Sequence, residues 1–542
     1  MCGIAGIFDL NGRREFDADL VSRMNESQFH RGPDEGGIHL EPGVALAHRR
    51  LSIIDLSSGQ QPMFSADGSI CLVYNGEIYN FQTLAEELKS RGYIFQTRCD
   101  TEVILYAWQE WGDDCVDHFR GMFAFALYDR NRQSLFLARD RLGIKPLFYS
   151  VLADGQVVFG SELKALKQHP KLSRKINPMA IEDYFAFGYV PEPDTIYSGT
   201  HKLLPGHKML FVRGQGVPVQ REYWDLRFVS EAQENEAELQ TQLIERLREA
   251  VDIRMVAEVP LGAFLSGGVD SSAVVAMMAQ LQEEPVNTCA IGFDVKQFDE
   301  TEYANKIAGR YQTNHFEHRV ESDDFGLLDV LADLYDEPYA DSSAIPTSRV
   351  CELARKKVTV ALSGDGGDEH FAGYRRYRWH MNEEALRSRL PLGLRKPVFG
   401  ALGRFYPKAD WAPRVFRAKT TFQALARNSV EAYMHTVSHT SEEQRGSLFS
   451  ADLKRALQGY KAVEVLFHHA EKAGTDDALS LIQYLDTKTY LVGDILTKVD
   501  RASMAHSLEV RVPMLDHRYL EWAATVPSSF KLKGLEGKYL LK

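Results

Sequence analysis

The segment Leu265–Ser272 places small and hydroxyl-bearing residues between an apolar run over Val259–Phe264 and a stretch with helical spacing. A loop between a buried strand and a helix presents backbone N–H groups and the positive end of the helix dipole to an anion, most naturally phosphate. Its two glycines let the anion approach the backbone, and its serines add donors. No Walker A motif occurs in the chain. The alternative is an ordinary turn that opens a helix.

Cys2 is the second candidate, because removal of Met1 would place its thiol beside its own α-amine. The ordinary pKa of an α-amine, about 7.7–8, suits a general base near neutral pH. A nucleophile with a built-in base is the N-terminal-nucleophile arrangement. An inert thiol at the start of a strand would look the same, so the residues that accompany Cys2 must decide.

Two carboxylates, Asp270 and Asp368, each follow a predicted buried strand. The later strand ends in Ser363–Glu369, which is not a G-x-G-x-x-G fingerprint because Glu369 occupies the last glycine position. In parallel sheets ligands bind at the carboxyl ends of the strands. The two carboxylates are therefore expected to converge on one phosphate chain, an arrangement that holds Mg²⁺. Alone, each Asp would be interpreted as a cap or turn residue.

The elements that must position these residues divide the chain in two. The first part alternates short strands with turns and predicts a mixed sheet packed with helices; the second repeats strand, loop and helix, which predicts a parallel, doubly wound sheet. The predicted strands are 4–8, 69–74, 122–128, 134–138, 157–160, 259–264, 288–293 and 358–362, and the predicted helices are 81–91, 101–111 (with Asp100 as N-cap) and 237–251. We place the domains at 1–213 and 237–542, joined by a linker over 214–236 that Tyr223–Asp225 anchors.

Bulk properties limit the function classes. A chain of 542 residues predicts at least two domains, and 44% hydrophobic with 25% charged residues is typical of a soluble globular protein. A net charge of −12 argues against a nucleic-acid partner. No apolar run is long enough to span a membrane, and the N-terminus lacks a signal peptide. Six cysteines without a C-x-x-C motif favour a reduced, cytoplasmic protein. A homodimer is compatible with these properties.

Six motifs in the first 166 residues occur in a characteristic order. They are Cys2–Ile4, His30–Asp34, His48–Asp55, Tyr74–Asn80, Cys99–Val103 and Asp140–Leu147. Together they resemble the class II glutamine amidotransferase domain, which implies an αββα N-terminal nucleophile fold. We interpret the last motif as a structural turn.

The chemistry of glutamine hydrolysis fits these residues. Arg50 can bind the α-carboxylate of glutamine through a bidentate fork, and Asp100 with Glu77 can bind its α-ammonium. The resemblance implies an oxyanion hole made by Asn75 Nδ2 and the Gly76 N–H. The expected glutamine-binding residues are Arg50, Leu51, Ser52, Ile53, Ile54, Asn75, Gly76, Glu77 and Asp100, with Cys2, Asn75 and Gly76 as catalytic residues. Taken singly, each has a structural alternative: a surface arginine, a turn or a helix cap.

The second half resembles the ATP-pyrophosphatase domain of the asparagine synthetase and β-lactam synthetase family. The resemblance rests on the S-G-G-x-D-S-S loop, Ser363–Glu369, and the late motifs Asp494–Met504, Ser507–Pro513 and Gly537–Leu541. It implies that Asp270 and Asp368 bind Mg²⁺ and that Lys538, at a helix start, stabilises charge on the α- and β-phosphates. Asp365, an expected catalytic residue, stands where many asparagine synthetases carry a longer Glu. The expected ATP-binding residues are Leu265, Ser266, Gly267, Gly268, Asp270, Ser271, Ile291, Ser363 and Gly364.

The complete pattern resembles the glutamine-hydrolysing asparagine synthetase family. This implies transfer of ammonia from glutamine to a carboxylate activated as acyl-AMP, first of all aspartate, with ATP as substrate. The acceptor can differ, because Asp183–Pro191 and Tyr223–Asp225 resemble a bacterial subgroup found with exopolysaccharide and exosortase systems. The cationic, aromatic stretch His370–His380 fits either an anionic acceptor or a solvated helix face. A plain glutaminase or a nucleotide-binding regulatory protein would fit one half of the pattern each. Since family members usually continue beyond the motif that ends near Lys542, we also expect further C-terminal sequence.

Overall fold

The N-terminal part contains two stacked six-stranded sheets. A computed structural model of the chain describes residues 1–229, 235–293, 299–320, 326, 328–407 and 418–542. The N-terminal strands are β1 (Gly3–Asp9), β2 (Glu35–Glu41), β3 (Val44–Arg50), β4 (Met63–Phe64), β5 (Ile70–Ile78), β6 (Gly121–Asp129), β7 (Ser134–Arg139), β8 (Phe148–Val151), β9 (Gln156–Gly160), β10 (Thr200–Lys202), β11 (His207–Val212) and β12 (Arg221–Glu222). The helices are α1 (Ala18–Glu26), α2 (Phe81–Ser90), α3 (Asp100–Trp111), α4 (Cys115–His118), α5 (Leu163–Leu166) and α6 (Pro178–Phe187).

The two sheets pack through their apolar inner faces, and helices cover the outer ones. One sheet has the order β10-β8-β9-β1-β3-β2 and the other β12-β11-β7-β6-β5-β4. Ile4 and Phe8 of the first sheet meet Val73 and Tyr128 of the second in a buried cluster. Helices α1 and α5 pack on the first sheet, and α2 and α3 on the second. The αββα fold is therefore confirmed.

The expectation of one mixed sheet in this part was wrong, because every described strand pair in both sheets is antiparallel. Short hairpins such as the one between β6 and β7 force this pairing. Strand β2 was missed because its side chains alternate between half-buried and exposed. Strand β3 was missed because it ends in three basic residues, His48-Arg49-Arg50, although all its side chains are buried.

The second part is built on a five-stranded sheet with the order β15-β14-β13-β16-β17 and parallel pairing throughout. Its strands are β13 (Leu261–Phe264), β14 (Asn287–Phe293), β15 (Asn314–Val320), β16 (Val360–Leu362) and β17 (Glu509–Arg511); β18 (Leu532–Lys533) and β19 (Glu536–Gly537) form a hairpin. The helices that pack against the sheet or continue from its ends are α7 (Glu236–Asp252), α8 (Val269–Leu281), α9 (Thr301–Tyr311), α10 (Leu328–Tyr335), α11 (Ala344–Arg355) and α12 (Gly367–His370). This parallel sheet confirms the prediction.

Helices dominate the rest of the chain. They are α13 (Arg375–Arg387), α14 (Leu392–Phe405), α15 (Lys419–Leu425), α16 (Ser429–Val437), α17 (Glu442–Leu448), α18 (Ala451–Leu457), α19 (Val463–Lys472), α20 (Ala478–Lys488), α21 (Thr497–Met504), α22 (His517–Thr525) and α23 (Ser528–Lys531). A π-helical segment, Leu491–Leu496, joins α20 to α21. Within the described ranges, no helix is long and apolar enough to cross a membrane.

The segment between the two parts is fixed at Tyr223–Asp225, as predicted. Tyr223 donates to the carbonyl of Arg139 at 2.8 Å. Trp224 Nε1 donates to Glu521 Oε1 of α22 at 2.8 Å, so this segment binds both domains. The domain limits 1–213, 214–236 and 237–542 remain a prediction; five linker residues, 230–234, lie outside the described ranges.

Candidate active sites

Cys2 lies at the start of β1 and is 8% exposed. Its backbone N–H donates to Asn75 Oδ1 of β5 at 2.9 Å. Asn75 Nδ2 is buried and has no hydrogen-bond partner in the described part of the chain. The adjacent Gly76 must be a glycine, because a Cβ there would lie 2.1 Å from the carbonyl oxygen of Met122. A spare buried donor beside a thiol is suited to stabilise a developing oxyanion.

A cavity of about 30 Å³ beside Cys2 brings most of the expected glutamine-binding residues together. They are Arg50, Leu51, Ile53, Ile54, Gly76, Glu77 and Asp100. Asn75 and Ser52 do not line this cavity, and the N–H of Ser52 donates to Asp34 at 2.8 Å. Met1 does line it and is 2% exposed, so the space left equals about one water molecule. Removal of Met1 would both enlarge the cavity and free the α-amine of Cys2.

The neighbours of Arg50 hold its guanidinium at the cavity wall. Arg50 donates to Glu35 Oε2 at 3.0 Å and to the carbonyl of Asp55 at 2.7 Å. The side chain is 4% exposed, so its position is defined by contacts rather than by solvent. A cation fixed in this way is preorganised for a carboxylate.

Asp100 is not the helix cap that the sequence predicted. Helix α3 begins at Asp100 itself, preceded by Cys99. The Tyr74 hydroxyl and the Ile78 N–H donate to Asp100 Oδ2 at 2.8 and 2.9 Å, and burial raises the pKa of Asp100 to about 6. Glu102 instead accepts from backbone N–H groups that precede the helix. The prediction that Asp100 caps the helix is therefore wrong, and its expected role at the glutamine site stays a prediction.

A second, larger cavity of about 400 Å³ lies at the carboxyl ends of β13, β14 and β16. Of the expected ATP-binding, catalytic and metal-binding residues it is lined by Leu265, Ser266, Gly268, Asp270, Ser271, Ile291, Ser363, Gly364, Asp365 and Asp368. Gly267 does not line it. Its φ of +82° favours glycine, and a Cβ would lie 2.6 Å from the Cβ of Tyr303. Gly267 thus has a structural reason to be glycine, and its expected contact with ATP stays a prediction.

The loop after β13 is held by its own hydroxyl groups at the N-terminus of α8. The Ser266 N–H donates to Ser271 Oγ at 3.2 Å, and the Gly268 N–H donates to Ser266 Oγ at 3.3 Å. Ser272 Oγ is buried and has no partner in the described residues. The helix behind the loop has 13 residues, so its dipole adds positive potential at this end. The arrangement suits a phosphate chain.

Lys538 bridges the two expected metal ligands. Its Nζ donates to Asp270 Oδ2 and, at 2.8 Å, to Asp368 Oδ1. Asp270 Oδ1 is buried without a hydrogen-bond partner among the described residues, and burial raises the pKa of Asp270 to about 6. The ammonium thus sits where a divalent cation would neutralise both carboxylates. Two carboxylates completed by phosphate oxygens and water match the ligands that Mg²⁺ prefers, so the site fits this ion.

The expected helix start at Lys538 stays a prediction: the residues up to Lys542 form a turn, in which the Lys538 carbonyl accepts from the N–H groups of Leu541 and Lys542 at 3.0 and 3.1 Å. Lys538 follows the short hairpin β18–β19 and has a φ of +57°. Its N–H donates to the carbonyl of Phe371 at 2.7 Å. Gly373 makes room for the side chain, because a Cβ there would lie 2.3 Å from Lys538 Cε. The turn after α12 therefore fixes the backbone of Lys538 through Phe371.

Asp365 lines the nucleotide cavity but is already hydrogen-bonded. Ser363 Oγ donates to Asp365 Oδ2 at 2.5 Å. Burial raises the pKa of Asp365, while the Ser363 hydroxyl lowers it. A carboxyl group with a raised pKa is better suited to exchange a proton near neutral pH.

Comparison with known proteins places this geometry in a family. One family model, described as a glutamine amidotransferase domain, matches residues 1–224, and a second, described as asparagine synthase, matches residues 242–542. The chain belongs to the glutamine-hydrolysing asparagine synthetase family. Asparagine synthetase [glutamine-hydrolyzing] 1 of Bacillus subtilis is 33% identical over 545 residues, covering 100% of this chain and 84% of that protein.

Two further relatives match the chain over most of its length. An asparagine synthetase homologue of Methanocaldococcus jannaschii is 35% identical over 534 residues, which cover 93% of this chain and 98% of the relative. Amidase chyE of Penicillium rubens is 30% identical over 609 residues, covering 100% of this chain and 86% of that protein. Relatives with different names thus share the architecture of both domains.

For this asparagine synthetase family member, the sequence did not reveal that the second domain completes the glutamine cavity. Glu509 of β17 lines that cavity and pairs with the Met1 ammonium at 3.0 Å. Arg511 bridges Glu509 at 2.7 Å and Glu77 at 3.3 Å. Burial and the nearby Glu509 carboxylate raise the pKa of Glu77 well above its usual range. Glu509 and Arg511 both belong to the motif Ser507–Pro513. That motif indicated the family, but it did not indicate that these residues lie next to Glu77.

The nucleotide cavity also contains residues outside the expected set. Lys498 lines it and donates to Asp341 at 2.6 Å and to Ser343 at 2.8 Å. Glu369 and Tyr374 line it as a hydrogen-bonded pair at 2.8 Å. Lys498 lies in the family motif Asp494–Met504, so the sequence could have indicated it as a site residue. No sequence pattern indicates that Glu369 pairs with Tyr374.

Proposed function

We propose that this protein hydrolyses glutamine at Cys2 and uses the ammonia to amidate a carboxylate that ATP activates as acyl-AMP, with aspartate as the first candidate acceptor. The products are then asparagine, glutamate, AMP and pyrophosphate. One observation carries the proposal: a single chain joins a thiol beside a spare oxyanion donor to a cavity lined by an ATP-pyrophosphatase loop.

In the glutaminase half, the Cys2 thiol attacks the side-chain carboxamide of glutamine after Met1 has been removed. Its own α-amine takes the proton and passes it to the leaving ammonia. Asn75 Nδ2 and the Gly76 N–H stabilise the oxyanion. Arg50 binds the α-carboxylate, and Asp100 with Glu77 binds the α-ammonium. Water then hydrolyses the thioester to glutamate.

In the synthetase half, the Ser266 loop and the N-terminus of α8 bind the pyrophosphate end of ATP. Asp270 and Asp368 would hold Mg²⁺, which neutralises phosphate charge when bound. Lys538 then turns from these carboxylates to the phosphates, where it stabilises charge as pyrophosphate leaves. Asp365 accepts a proton from ammonia as it attacks the acyl-AMP. Ammonia then passes to this site inside the protein, where it displaces AMP.

Each of the two alternative functions, a plain glutaminase and a nucleotide-binding regulatory protein, would leave one half of the structure without a role. A plain glutaminase needs no Asp270–Lys538–Asp368 cluster, and a regulatory nucleotide-binding protein needs no spare donor beside Cys2. Amidation of a different carboxylate retains the whole mechanism and differs only in the acceptor. All six cysteines are unpaired, which supports the proposal of a reducing, cytoplasmic compartment. A homodimer stays a prediction.

The test combines the complete chain with ATP, Mg²⁺, glutamine and a set of carboxylic acids, and measures AMP and amide products. We expect AMP, glutamate and amide in equal amounts, with aspartate tried first. The variant Cys2→Ala should lose the glutamine-dependent reaction and keep the ammonia-dependent one. Glutamine-dependent amidation that survives this change would refute the glutaminase assignment. An amide from another acid but not from aspartate would refute only the choice of acceptor.

A further inference from the structure

Helix α14 (Leu392–Phe405) has one face that packs into the protein and another that faces solvent. On the packed face, the Phe399 ring stacks on Phe422 of α15 at 6.1 Å, and Arg395 donates to the carbonyl of Leu425 at 2.6 Å. The other face carries four apolar side chains at helical spacing, each between 41% and 80% exposed: Leu394, Val398, Leu402 and Phe405. We call these four residues the apolar stripe.

The apolar stripe points the opposite way from the apolar side of an ordinary surface helix. Such helices turn their apolar side toward the core and their polar side toward water. With a rise of 1.5 Å per residue, the stripe is about 16 Å long. Leu392, at the start of α14, is exposed as well. Single exposed apolar residues are ordinary, but a continuous stripe indicates a surface that binds a partner.

Cations accompany the apolar stripe. Helix α14 contains the exposed Lys396 and Arg404 and no Asp or Glu. The Arg404 guanidinium lies 5.9 Å from the centre of the Phe405 ring. Neither Lys396 nor Arg404 forms an ion pair within the described residues. Since a helix is about 10–12 Å across, both charges lie within roughly one Debye length of the stripe at physiological salt.

The charge around α14 is opposite in sign to that of the whole chain. Residues 375–405, which span α13 and α14, contain eight Lys and Arg and two Glu, a net charge of +6, whereas the chain carries −12. In the described structure carboxylates pair with just two of these cations, Arg376 and Arg387. An anionic partner is therefore attracted to this part of the surface rather than to the rest of the protein.

The combination of a stripe and cations selects among anionic partners. A second copy of the chain fits poorly, because a twofold interface brings each patch against itself and would place Lys396 and Arg404 of both copies together. Nucleic acid attracts the cations, but its phosphates gain nothing from an apolar stripe. A lipid surface with anionic headgroups satisfies both features, since apolar side chains enter the acyl boundary while Lys and Arg reach the headgroups.

We propose that α14 docks the protein on the surface of an anionic lipid bilayer. The apolar stripe enters the boundary between headgroups and acyl chains, and Lys396 and Arg404 contact the headgroups. Four apolar side chains and a few cations give reversible binding rather than a permanent anchor. The inference goes beyond the proposed function and does not depend on which carboxylate is amidated.

The test mixes the complete chain with vesicles of phosphatidylcholine alone, or of an equal mixture of phosphatidylcholine and phosphatidylglycerol, and measures the bound fraction by sedimentation. We expect binding to the anionic vesicles, weakened by salt, and none to the neutral ones. Lys396→Gln with Arg404→Gln should weaken binding about 25-fold, roughly fivefold for each cation. Leu394→Ser with Phe405→Ser should weaken it at least about tenfold at low and at high salt, because less apolar surface is buried.

Matched controls alter the same residue types elsewhere on the surface. Arg248→Gln with Lys454→Gln removes two other exposed cations, and Ile94→Ser with Val219→Ser removes two other exposed apolar side chains. Both control proteins should bind vesicles as the wild type does. Circular dichroism and the urea midpoint of every variant show that it is folded.

A fluorescent label identifies the face that meets the lipid. The six cysteines of the chain are buried, so an environment-sensitive dye can be attached selectively at an introduced cysteine. Dye on Ala401→Cys, an exposed position of α14 beside Leu402, should shift its emission to the blue when anionic vesicles are added. Dye on Ala66→Cys, an exposed position of the N-terminal part, should not shift.

Several results would overturn the inference. They are no binding of the wild type to anionic vesicles, binding that both α14 variants retain, or an equal dye shift at both labelled positions. Light scattering and a DNA duplex test the other partners: self-association or DNA binding that is lost in the α14 variants, without vesicle binding, would assign the face to that partner instead. None of these measurements uses turnover. A protein that binds vesicles but forms no amide therefore leaves the inference intact and overturns the proposed function alone.

Discussion

Replacement of Asn75 by alanine tests the most specific feature of the glutaminase site. The change removes the spare Nδ2 donor and the Oδ1 acceptor of the Cys2 N–H, while the Gly76 N–H remains. Loss of one oxyanion donor reduces kcat by about 10²- to 10³-fold, or about 2.7–4 kcal/mol. Loss of the hydrogen bond to Cys2 costs about 1 kcal/mol more, because the nucleophile is less well positioned.

The assay compares two nitrogen sources in the same preparation. With glutamine, amide formation by Asn75→Ala should fall at least 100-fold, through kcat rather than KM. With ammonium chloride it should stay within a factor of two of the wild type, because Asn75 lies outside the nucleotide cavity. Intact mass must confirm removal of Met1 in both proteins. A decrease of less than tenfold with glutamine, or an equal decrease with ammonia, would refute the assignment of Asn75 to the oxyanion hole.

Three further predictions follow from buried charges. Protein that retains Met1, as judged by mass, should lack glutamine hydrolysis but keep ammonia-dependent synthesis; measurable glutaminase would contradict the role of the Cys2 α-amine. Arg31→Met should lower the free energy of unfolding by about 3–5 kcal/mol in urea, because it leaves the buried Asp500 without its forked partner, while Glu162 keeps Arg501; Arg31→Lys should be milder, and an unchanged midpoint in both would be contrary evidence. Burial lowers the pKa of Lys531 to about 7, below its unfolded value of about 10.4, so the unfolded chain binds more protons between these values and stability rises with pH. Relative to Lys531→Met, the free energy of unfolding of the wild type should rise by about 2 kcal/mol between pH 7.5 and 9.5. An equal change of the urea midpoint with pH in the two proteins would disprove this.

Arg31 also shows how the two domains are joined. Its Nη1 and Nη2 bind Asp500 as a fork at 2.8 and 2.9 Å, and its Nε donates to the carbonyl of Cys2 at 3.0 Å. One fully buried arginine thus contacts the backbone of Cys2 and a helix of the second domain. The residue occurs in the motif His30–Asp34, where the sequence indicated family membership but not this contact.

The expected site residues that the structure brings together at the nucleotide cavity lie in loops between elements that are adjacent in the chain. The loop at Ser266 could be found because strand, glycines and helix are adjacent in the chain, and the same is true of Ser363–Asp368. Asp100 was misassigned as a cap because its partners, Tyr74 and Ile78, are more than twenty residues away. Lys538 was placed at a helix start by its resemblance to the family motif, which did not indicate the contact of its N–H with the carbonyl of Phe371, more than 160 residues away. Contacts between distant segments are therefore where the prediction failed.

The same reason explains the strands that were missed. Strand β17 has only three residues, and two of them, Glu509 and Arg511, are charged, so no periodicity marks it. They are fully buried because they form an ion pair with each other. Across the domain interface, Glu509 also pairs with the Met1 ammonium and Arg511 with Glu77. A buried ion network has the composition of a surface loop, and only the fold distinguishes the two.

The position of Glu509 gives a physical route between the two active sites. Strand β17 pairs in parallel with β16, with Glu509 opposite Val360 and Arg511 opposite Leu362. Ser363, the first residue of the nucleotide loop, follows Leu362 directly, and its N–H donates to the carbonyl of Arg511 at 2.8 Å. Three residues of strand span about 10 Å, so one strand pair separates the glutamine cavity from the nucleotide loop. Arg511 therefore contacts Glu77 of the glutamine cavity through its side chain and Ser363 of the nucleotide loop through its carbonyl.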